Sequence, residues 1–386
     1  MYSTAQRVPA LGDLVFMKSF HLHDDGFARE LLSLPAPLAF IDFETFSAAP
    51  SPIPGTRTSD IIPCQWSCHT LSSHGLDWHG KISHDEFLWE GDWGWSPVYA
   101  FVESLYDAVR NARTILIYSQ YEIRVLNLAK QLAENDMNAL RNGEITDEFV
   151  VVDKNGDKVP LMSIAPKVAG WCDDIMARGR IYDMLGDSGS GVKYWLQSAD
   201  FENSNSIKYV LPVAIDEYSG TSELLRYYNE PEDGYAGLRR IGNIAKGDEC
   251  QSKYINALHR PQRSSASPKD AGAAPFDRNI ERQCLVYCCL DTLSMVIIYL
   301  AVLEASERWN DVASNEYGWV RFADDNMIHK AYADGDRHAM VKVCSGEAYD
   351  EDTQFHVLTE AEVGNLPIRE QYALICPRCR RAENGR

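Results

Sequence analysis

Basic residues are scarce in this sequence, where 37 Lys and Arg stand against 56 Asp and Glu and give a formal net charge of −19. Such a surface repels phosphate backbones over much of its area, so contact with nucleic acid must be local or carried by metal ions. Cysteine is also sparse, with 10 in 386 residues. This excludes a disulfide scaffold and indicates a reducing, cytoplasmic compartment. A hydrophobic share of 45% excludes a fully disordered chain.

Several common signals are missing as well. The first twenty residues have no charged segment followed by an apolar one, so no secretory leader is expected. Only residues 285–303 are apolar enough to suggest a membrane span. A central Asp291 costs about 2.5–3.5 kcal/mol in a bilayer, so we expect a buried core helix and no membrane association. Phosphate-binding P-loop, G-x-S-x-G and H-E-x-x-H motifs are absent.

Hydrophobic patterning predicts three strands, a helix, a strand and a helix, in that order. The expected strands are 38–44, 61–71, 76–78 and 115–118, and the expected helices are 97–110 and 122–132. This order mixes a meander with a crossover connection. It therefore favours an α/β layer fold with a mixed sheet flanked by helices.

The length of the chain favours two or three domains, or one large domain with insertions. We expect a lead-in over residues 1–35, a main domain over 36–303 with a long insertion at about 143–280, and a small β-rich appendage over 304–386. The insertion should contain a hairpin turning at Asn155-Gly156 and, over 251–277, a mobile loop. A long helix over 278–308 should follow.

The first chemical signal is the pair Asp42 and Glu44 in the strand 38–44. Residues two apart project from the same face of a strand, so both carboxylates point to one side. Two-metal hydrolysis of a phosphodiester needs several carboxylates that converge on one point. The alternative is an edge strand whose acids face solvent. The apolar run Leu38 to Ile41 argues against it, because it predicts a strand covered on both faces.

The second signal is Tyr287 and Asp291 in the apolar run Leu285-Val286-Tyr287-Cys288-Cys289-Leu290-Asp291-Thr292. Positions i and i+4 lie on one face of a helix, so the phenol and the carboxylate point the same way. The spacing alone is weak. An unpaired charge inside such an apolar helix would nevertheless be costly, which favours a functional role for Asp291.

These motifs together resemble a known family. FIDFET at residues 40–45, an acid just after a short apolar strand, and YCCLDT at 287–292 are similar to the DEDD superfamily of DnaQ-like 3′-to-5′ exonucleases, which have a ribonuclease H-like fold. The Tyr at 287 resembles the tyrosine subgroup. PCQWSCH, YSQYE and SIKYVLP are similar to segments of a bacterial family of DnaQ-like nucleases inferred from genome sequences. The resemblance covers about 38–303, is patchy between 133 and 280, and leaves out the appendage.

The resemblance implies a set of metal ligands. Asp42, Glu44 and Asp291 would hold two Mg²⁺ or Mn²⁺ ions, with Asp42 bridging them, and Tyr287 would orient the attacking water. The second-motif acid falls on Glu122, where the superfamily normally has Asp. In the closer family Glu is usual at this place, so we interpret it as a variant. Asp183, which ends the segment 180–183, is an alternative fourth acid.

Other residues are candidates for substrate contact. Lys208 resembles a family lysine that contacts a phosphate, although a solvated surface lysine is an equal reading. Gln65 and His69 lie on one face of the strand 61–71, together with Ser67, and face either the pocket or water. Cys376 and Cys379 form half of a zinc ribbon, or else two free thiols near the chain end.

The expected function is therefore a two-metal 3′-to-5′ exonuclease acting on single-stranded ends, DNA more than RNA. The acidity of the chain should weaken binding to long substrates unless a partner protein delivers them. An alternative is a catalytically weak DnaQ-like module that binds nucleic-acid ends or serves assembly in a bacterial repair or anti-phage system. An RNA-trimming enzyme is a third reading.

Overall fold

The structure is a computed structural model. It describes residues 15–16, 21–22, 26–47, 57–58, 60–90, 96–187, 189–197, 201, 204–258, 276–314, 317–322, 327–334, 339–342, 348–349 and 355–358. Cys376 and Cys379 lie outside these residues, so their zinc-binding interpretation stays a prediction. Most of the predicted loop 251–277 lies outside them too.

The described residues form helices and strands that are numbered here along the chain. The helices are α1 (Gly26–Ser33), α2 (Val98–Val109), α3 (Tyr121–Arg141), α4 (Leu161–Ile175), α5 (Gly191–Trp195), α6 (Ile207–Glu217), α7 (Thr221–Tyr227), α8 (Tyr235–Arg240), α9 (Gly247–Leu258) and α10 (Arg278–Ser314). The strands are β1 (Val15–Phe16), β2 (His21–Leu22), β3 (Leu38–Phe46), β4 (Ile62–Leu71), β5 (Ile82–Leu88), β6 (Thr114–Ile117), β7 (Val150–Val152), β8 (Lys158–Pro160), β9 (Ile181–Asp183), β10 (Leu196–Gln197), β11 (Tyr317–Phe322), β12 (Ile328–Asp334), β13 (Ala339–Lys342), β14 (Ala348–Tyr349) and β15 (Phe355–Leu358).

The chain divides into two compact units. We call Leu34–Gly186 with Ser222–Val296 the sheet unit, and Met1–Ser33 with Asp187–Thr221 and Ile297–Arg386 the second unit. This division is not the linear one expected from the sequence, because 187–221, predicted as part of one insertion, groups with both chain ends.

The sheet unit contains a five-stranded mixed sheet in the order β5-β4-β3-β6-β9. The meander β3-β4-β5 is antiparallel, whereas β6 and β9 run parallel to β3 and to β6. Helix α2 connects β5 to β6, and α3 and α4 lie between β6 and β9 along the chain. The predicted α/β class with a mixed sheet is therefore confirmed.

One face of this sheet is covered by α2, α3 and α4. Alternate residues of the central strands point into this apolar core, including Ala39, Ile41 and Phe43 on β3 and Trp66 on β4. The Phe43 and Phe101 rings meet edge to face with centroids 5.1 Å apart. Because side chains alternate along a strand, the residues between them point to the opposite face.

Two details of the sheet unit differ from the sequence predictions. Residues 76–78 are not a strand: they lie in the connection after β4, where Trp78 is buried and its carbonyl accepts the Lys81 amide at 3.0 Å. The third strand, β5, begins at Ile82 instead. Residues 251–258, predicted as loop, complete α9. The hairpin β7-β8 is confirmed, and Gly156 in its turn has φ of +83°.

Helix α10 is the most apolar element of the described chain. Its stretch Arg278–Ser306 is long and apolar enough to cross a membrane by length and composition, but 89% of its most apolar window is buried within the protein. That burial agrees with the core helix predicted from the sequence.

The second unit contains two sheets among its described residues. One is small, in the order β1-β2-β10, and the other has five strands in the order β14-β13-β12-β11-β15. The five-stranded sheet is antiparallel throughout. It corresponds to the β-rich appendage predicted after the long helix.

Candidate metal centre

Strand β3 carries Asp42 and Glu44 on the face opposite the apolar core. They pair in register with Ser67 and Gln65 of β4, so these four side chains share one face of the sheet. Strand β3 lies in the middle of the sheet, between β4 and β6. The alternative interpretation of an edge strand is therefore wrong, and both carboxylates are only partly exposed.

Helix α10 brings Asp291 to the same place. One carboxylate oxygen from each of Asp42, Glu44 and Asp291 lies within 4.8 Å of the other two. Asp291 is 7% exposed and belongs to an otherwise apolar stretch of helix. The cluster thus joins Asp42 and Asp291, which are 249 positions apart in sequence, and it unites the two motifs that the sequence singled out. We call these three residues the carboxylate cluster.

Glu122 lies near the carboxylate cluster but is not one of its three residues. It occupies the first turn of α3, which follows β6, and β6 runs parallel to β3. Carboxyl ends of parallel strands meet at one edge of a sheet, so the start of α3 faces the site. The Tyr121 hydroxyl and Thr45 Oγ1, 2.6 Å apart, tie this start to β3.

The Glu122 side chain is 4% exposed, and its Oε2 has no hydrogen-bond partner among the described residues. The pKa of Glu122 is raised to about 7, mainly by burial and further by the nearby Asp183 and Asp291 carboxylates, while a backbone hydrogen bond lowers it in part. A buried acceptor without a partner is unusual in a folded protein. An acceptor of this kind is expected where a carboxylate oxygen can bind a cation.

Burial and mutual repulsion together determine the electrostatics of the site. Burial raises the pKa of Asp42 well above its ordinary value, and the carboxylates of Asp291, Glu122 and Glu44 raise it further. The Cys288 thiol donates to Asp42 Oδ2 at 3.7 Å and opposes this shift. Acids held this close are unfavourable unless they are protonated or share a positive charge.

Two tyrosines border the carboxylate cluster. Tyr287 is 3% exposed, and burial together with Asp291 and Glu44 raises the pKa of its phenol, so it stays protonated. The Tyr235 hydroxyl donates a hydrogen bond to Asp291 Oδ1. Tyr235 begins the short helix α8 and was missed by sequence reasoning, because no local motif marks it.

Gly247, at the start of α9, leaves space beside the cluster. A Cβ at this position would lie 3.6 and 3.7 Å from the two Glu44 carboxylate oxygens and 3.8 Å from the Tyr287 hydroxyl. The absence of a side chain therefore keeps open a small volume between an acid and a phenol. Sequence reasoning missed this residue as well.

Asp183 ends β9 but is engaged in local hydrogen bonds. Its Oδ2 accepts from Gln120 Nε2 at 2.8 Å, and its Oδ1 accepts from the Leu185 amide at 3.0 Å. It acts on Glu122 through space and is not among the three clustered carboxylates. Of the two candidates for the fourth acid, Glu122 is the one with a buried oxygen that has no partner within the described part of the chain.

The polar stripe of β4 faces α10. Gln65 Nε2 donates to the Cys284 carbonyl at 2.8 Å, and Ser67 Oγ and His69 Nδ1 each lie 2.8 Å from Thr292 Oγ1. These three side chains are at most 1% exposed. The sequence left open whether this stripe faces the pocket or water, and its burial shows that it does not face water. Its contacts hold α10 in place, so that Asp291 lies beside β3. A substrate contact at Gln65 or His69 would require α10 to move away.

Lys208 is the second residue of α6 and belongs to the second unit. The sheet unit, which contains the carboxylate cluster, therefore does not include it. Its predicted contact with a phosphate stays a prediction.

The residues of the site fit a hard divalent cation. All of the candidate ligands are carboxylates, and Mg²⁺ and Mn²⁺ prefer oxygen ligands. The Glu122 oxygen without a partner and the space left by Gly247 are further features that a bound ion would explain. An ion here would also offset the repulsion that raises the pKa of Asp42.

Comparison with known proteins adds one match. A family model described as a domain of unknown function (DUF2779) matches residues 39–163, about a third of the chain. The matched range contains Asp42, Glu44 and Glu122 and stops before Tyr287 and Asp291. No curated protein and no solved structure matches the chain.

Proposed function

We propose that this protein is a metal-dependent 3′-to-5′ exonuclease of the DnaQ-like type, built on a ribonuclease H-like sheet. The observation that carries the proposal is the carboxylate cluster, in which oxygens of Asp42, Glu44 and Asp291 lie within 4.8 Å of one another. The mixed sheet, with an antiparallel meander followed by parallel crossovers, is compatible with that fold. The buried Glu122 supplies a fourth acid beside the cluster.

Asp42, Glu44, Glu122 and Asp291 would hold two Mg²⁺ or Mn²⁺ ions. Such a pair, when bound, neutralises the scissile phosphate, lowers the pKa of the attacking water and stabilises the leaving 3′ oxygen. The carboxylates of Glu44, Glu122 and Asp291 all act on that of Asp42 through space, so Asp42 would be the ligand common to both ions.

The remaining steps belong to side chains of this protein. The protonated Tyr287 hydroxyl accepts a hydrogen bond from the attacking water and orients it, without giving up its own proton. The Tyr235 hydroxyl fixes the orientation of the Asp291 carboxylate. Gly247 leaves space beside Glu44 and Tyr287 for the water or for a phosphate oxygen.

The expected substrates are single-stranded ends, and DNA is favoured over RNA. A formal charge of −19 disfavours long-range attraction of a duplex backbone. Contact is therefore expected to be confined to the few nucleotides next to the ions.

The test is a denaturing-gel time course with 5′-labelled single-stranded DNA and RNA of matched sequence, in Mn²⁺, in Mg²⁺ and in EDTA. Wild type is compared with Asp42→Asn and Asp291→Asn, and with Asp85→Asn as a matched control, because Asp85 is an exposed acid on β5. A stepwise ladder from the 3′ end is expected for wild type and Asp85→Asn with metal, and for neither site variant.

Intact DNA and RNA with folded wild-type protein in both metals would overturn the exonuclease proposal. If the intact ends are nevertheless bound, the binding-module alternative takes its place. A ladder on RNA alone would retain the site and change the substrate to RNA.

A further inference from the structure

A second cluster of possible ligands lies on the same face of the sheet, away from the carboxylates. His69 of β4 and His84 of β5 are paired in register, and their rings stack with centroids 4.5 Å apart. One ligand atom from each of His69, His84 and Cys289 lies within 4.8 Å of the other two. We call these three residues the His-Cys cluster.

The surrounding hydrogen bonds fix the tautomers of both histidines. Thr292 Oγ1 lies 3.0 Å from the Cys289 carbonyl of its own helix, and its single proton is assigned to that bond. Thr292 Oγ1 then accepts from His69 Nδ1–H and from the Ser67 hydroxyl, both at 2.8 Å. Ser67 Oγ in turn accepts from His84 Nε2–H at 2.9 Å.

This chain of donors leaves one lone pair on each ring, at His69 Nε2 and at His84 Nδ1. His69 is fully buried, and its Nε2 has no hydrogen-bond partner among the described residues. Burial lowers the pKa of His69, so the ring is neutral. Metal-binding histidines commonly have this form, with one nitrogen held by a polar neighbour and the other free to bind.

Glu230 provides a second buried acceptor beside the cluster. It is 5% exposed, and its Oε2 also lacks a partner among the described residues. The Cys289 thiol donates a hydrogen bond to this carboxylate. Two buried polar atoms without partners at one place call for an explanation, and neither belongs to the carboxylate cluster.

We propose that His69, His84 and Cys289, with Glu230 as the fourth neighbour, form a binding site for a borderline transition-metal ion, best suited to Zn²⁺. Two imidazole nitrogens, a thiolate and a carboxylate match the ligands and the number that Zn²⁺ takes in proteins. On binding, the Cys289 S–H bond breaks, its proton leaves to solvent through the Glu230 carboxylate, and the sulfur bonds to the ion.

A route from solvent leads to the site. A cavity of about 400 Å³ is lined by His84, Glu86, Tyr228, Glu230, Arg278 and Cys289 among others. Its wall carries the acids Glu86, Glu230 and Glu281 together with the bases Arg278 and Arg282. The ligand donor types separate this site from the carboxylate cluster, whose oxygens favour Mg²⁺ or Mn²⁺.

The site would fix α10 to β4 and β5. Cys289 lies two residues before Asp291, and Thr292, which orients His69, follows Asp291 directly. A metal bound by Cys289 therefore restrains the part of α10 that presents Asp291 to β3. This assigns the ion a positioning role and leaves hydrolysis to the carboxylate cluster.

The test is Co²⁺ binding followed by absorption spectroscopy, with metal analysis of the full-length protein as purified. A cobalt–thiolate bond gives a near-ultraviolet charge-transfer band that cobalt bound by carboxylates lacks. We expect one equivalent of Co²⁺ to produce this band in wild type, and Zn²⁺ to abolish it by displacement. Cys289→Ser should lose the band, and so should His84→Gln, a milder change at a partly exposed ring.

Two controls separate this site from other sources of signal. Asp42→Ala should retain the band, because it removes only the carboxylate cluster. A Cys376→Ser/Cys379→Ser double variant should retain it too. The proposal is overturned if folded wild type gives no band, or if Cys289→Ser keeps the band. Either result is independent of nuclease activity.

Discussion

The two faces of the five-stranded sheet differ although the same strands build both. On β3, Ala39, Ile41 and Phe43 point into the apolar core under α2, α3 and α4, whereas Asp42 and Glu44 point to the other face. The apolar face stabilises the fold by burial. The polar face carries acids that raise one another's pKa, so it destabilises the metal-free protein. The proposed metal site thus lies on the face that contributes least to stability.

The comparison predicts that removing bulk from the apolar face has the largest effect on stability. Phe43→Ala should lower the free energy of unfolding by about 3–5 kcal/mol, because it deletes a buried ring that packs against Phe101. Urea denaturation measures this change. The variant that remains folded should bind Mn²⁺ as wild type does. A loss below about 1 kcal/mol would contradict the assignment of the core to this face.

Neutralising an acid on the polar face should act in the opposite direction. The folded pKa of Glu122 is about 7 against an ordinary 4.5, so the folded protein holds a proton that the unfolded chain has released. The contribution of Glu122 to the free energy of unfolding is therefore fully present below pH 4.5 and is lost as pH rises to and through 7, by roughly 3 kcal/mol in total.

Glu122→Gln removes this dependence. In EDTA it should be more stable than wild type at pH 8 and equal to it at pH 4, as measured by thermal unfolding. With saturating Mn²⁺ the order at pH 8 should reverse, because only wild type keeps the full set of ligands. A Glu122→Gln variant less stable than wild type in EDTA at pH 8 would refute the repulsion argument.

A smaller loss of stability is expected when a contact between α10 and the polar face of the sheet is removed. Thr292→Val should lower the free energy of unfolding by about 2 kcal/mol, because the buried Ser67 hydroxyl and His69 Nδ1 lose their partner. The matched control is Thr70→Val, at a partly exposed position of β4 whose side chain points to the opposite face from those of Ser67 and His69. It should change stability by less than about 0.5 kcal/mol. Equal effects would show that α10 is not anchored through Thr292.

The smallest effect is expected at the start of α3. Tyr121→Phe removes the hydrogen bond to Thr45 and should cost about 1 kcal/mol in unfolding free energy. The same variant should bind Mn²⁺ more weakly, because this hydrogen bond holds the start of α3 beside β3 and Glu122 is the next residue. Tyr106→Phe is the matched control, since its ring stacks on Trp171 at 5.4 Å, and it should leave both quantities unchanged.

Sequence patterns predicted most strands of the sheet, because the apolar pattern of each strand lies within its own segment of the chain. Leu38 to Glu44 is apolar and short, and it forms the central β3. The prediction of a strand at 76–78 was wrong because three residues are too few to show the period of a strand. The segment is a connection in which Trp78 is buried. Helices α4 to α9 were not predicted: α4 and α6 each contain a proline, Pro166 and Pro212, which is typical of a helix end, and α5, α7 and α8 are too short to show a helical period.

The carboxylate cluster was predictable only in its charged members. Asp42, Glu44 and Asp291 break apolar segments, and a charge in such a place is a local signal. Tyr235 and Gly247 touch the cluster through contacts that span dozens of residues, and nothing in their own segments marks them. The burial of Gln65 and His69 depends on where α10 packs, which β4 alone does not encode.

Divalent ions are proposed to bind the polar face of the sheet through Asp42, Glu44, Glu122 and Asp291. The most direct measurement is a calorimetric titration of Mn²⁺ into wild type and Asp42→Asn at pH 8, above the Glu122 pKa of about 7. Two ions per chain are predicted for wild type, and the loss of at least one for the variant. Equal Mn²⁺ binding by both proteins, or none by folded wild type, would contradict the account.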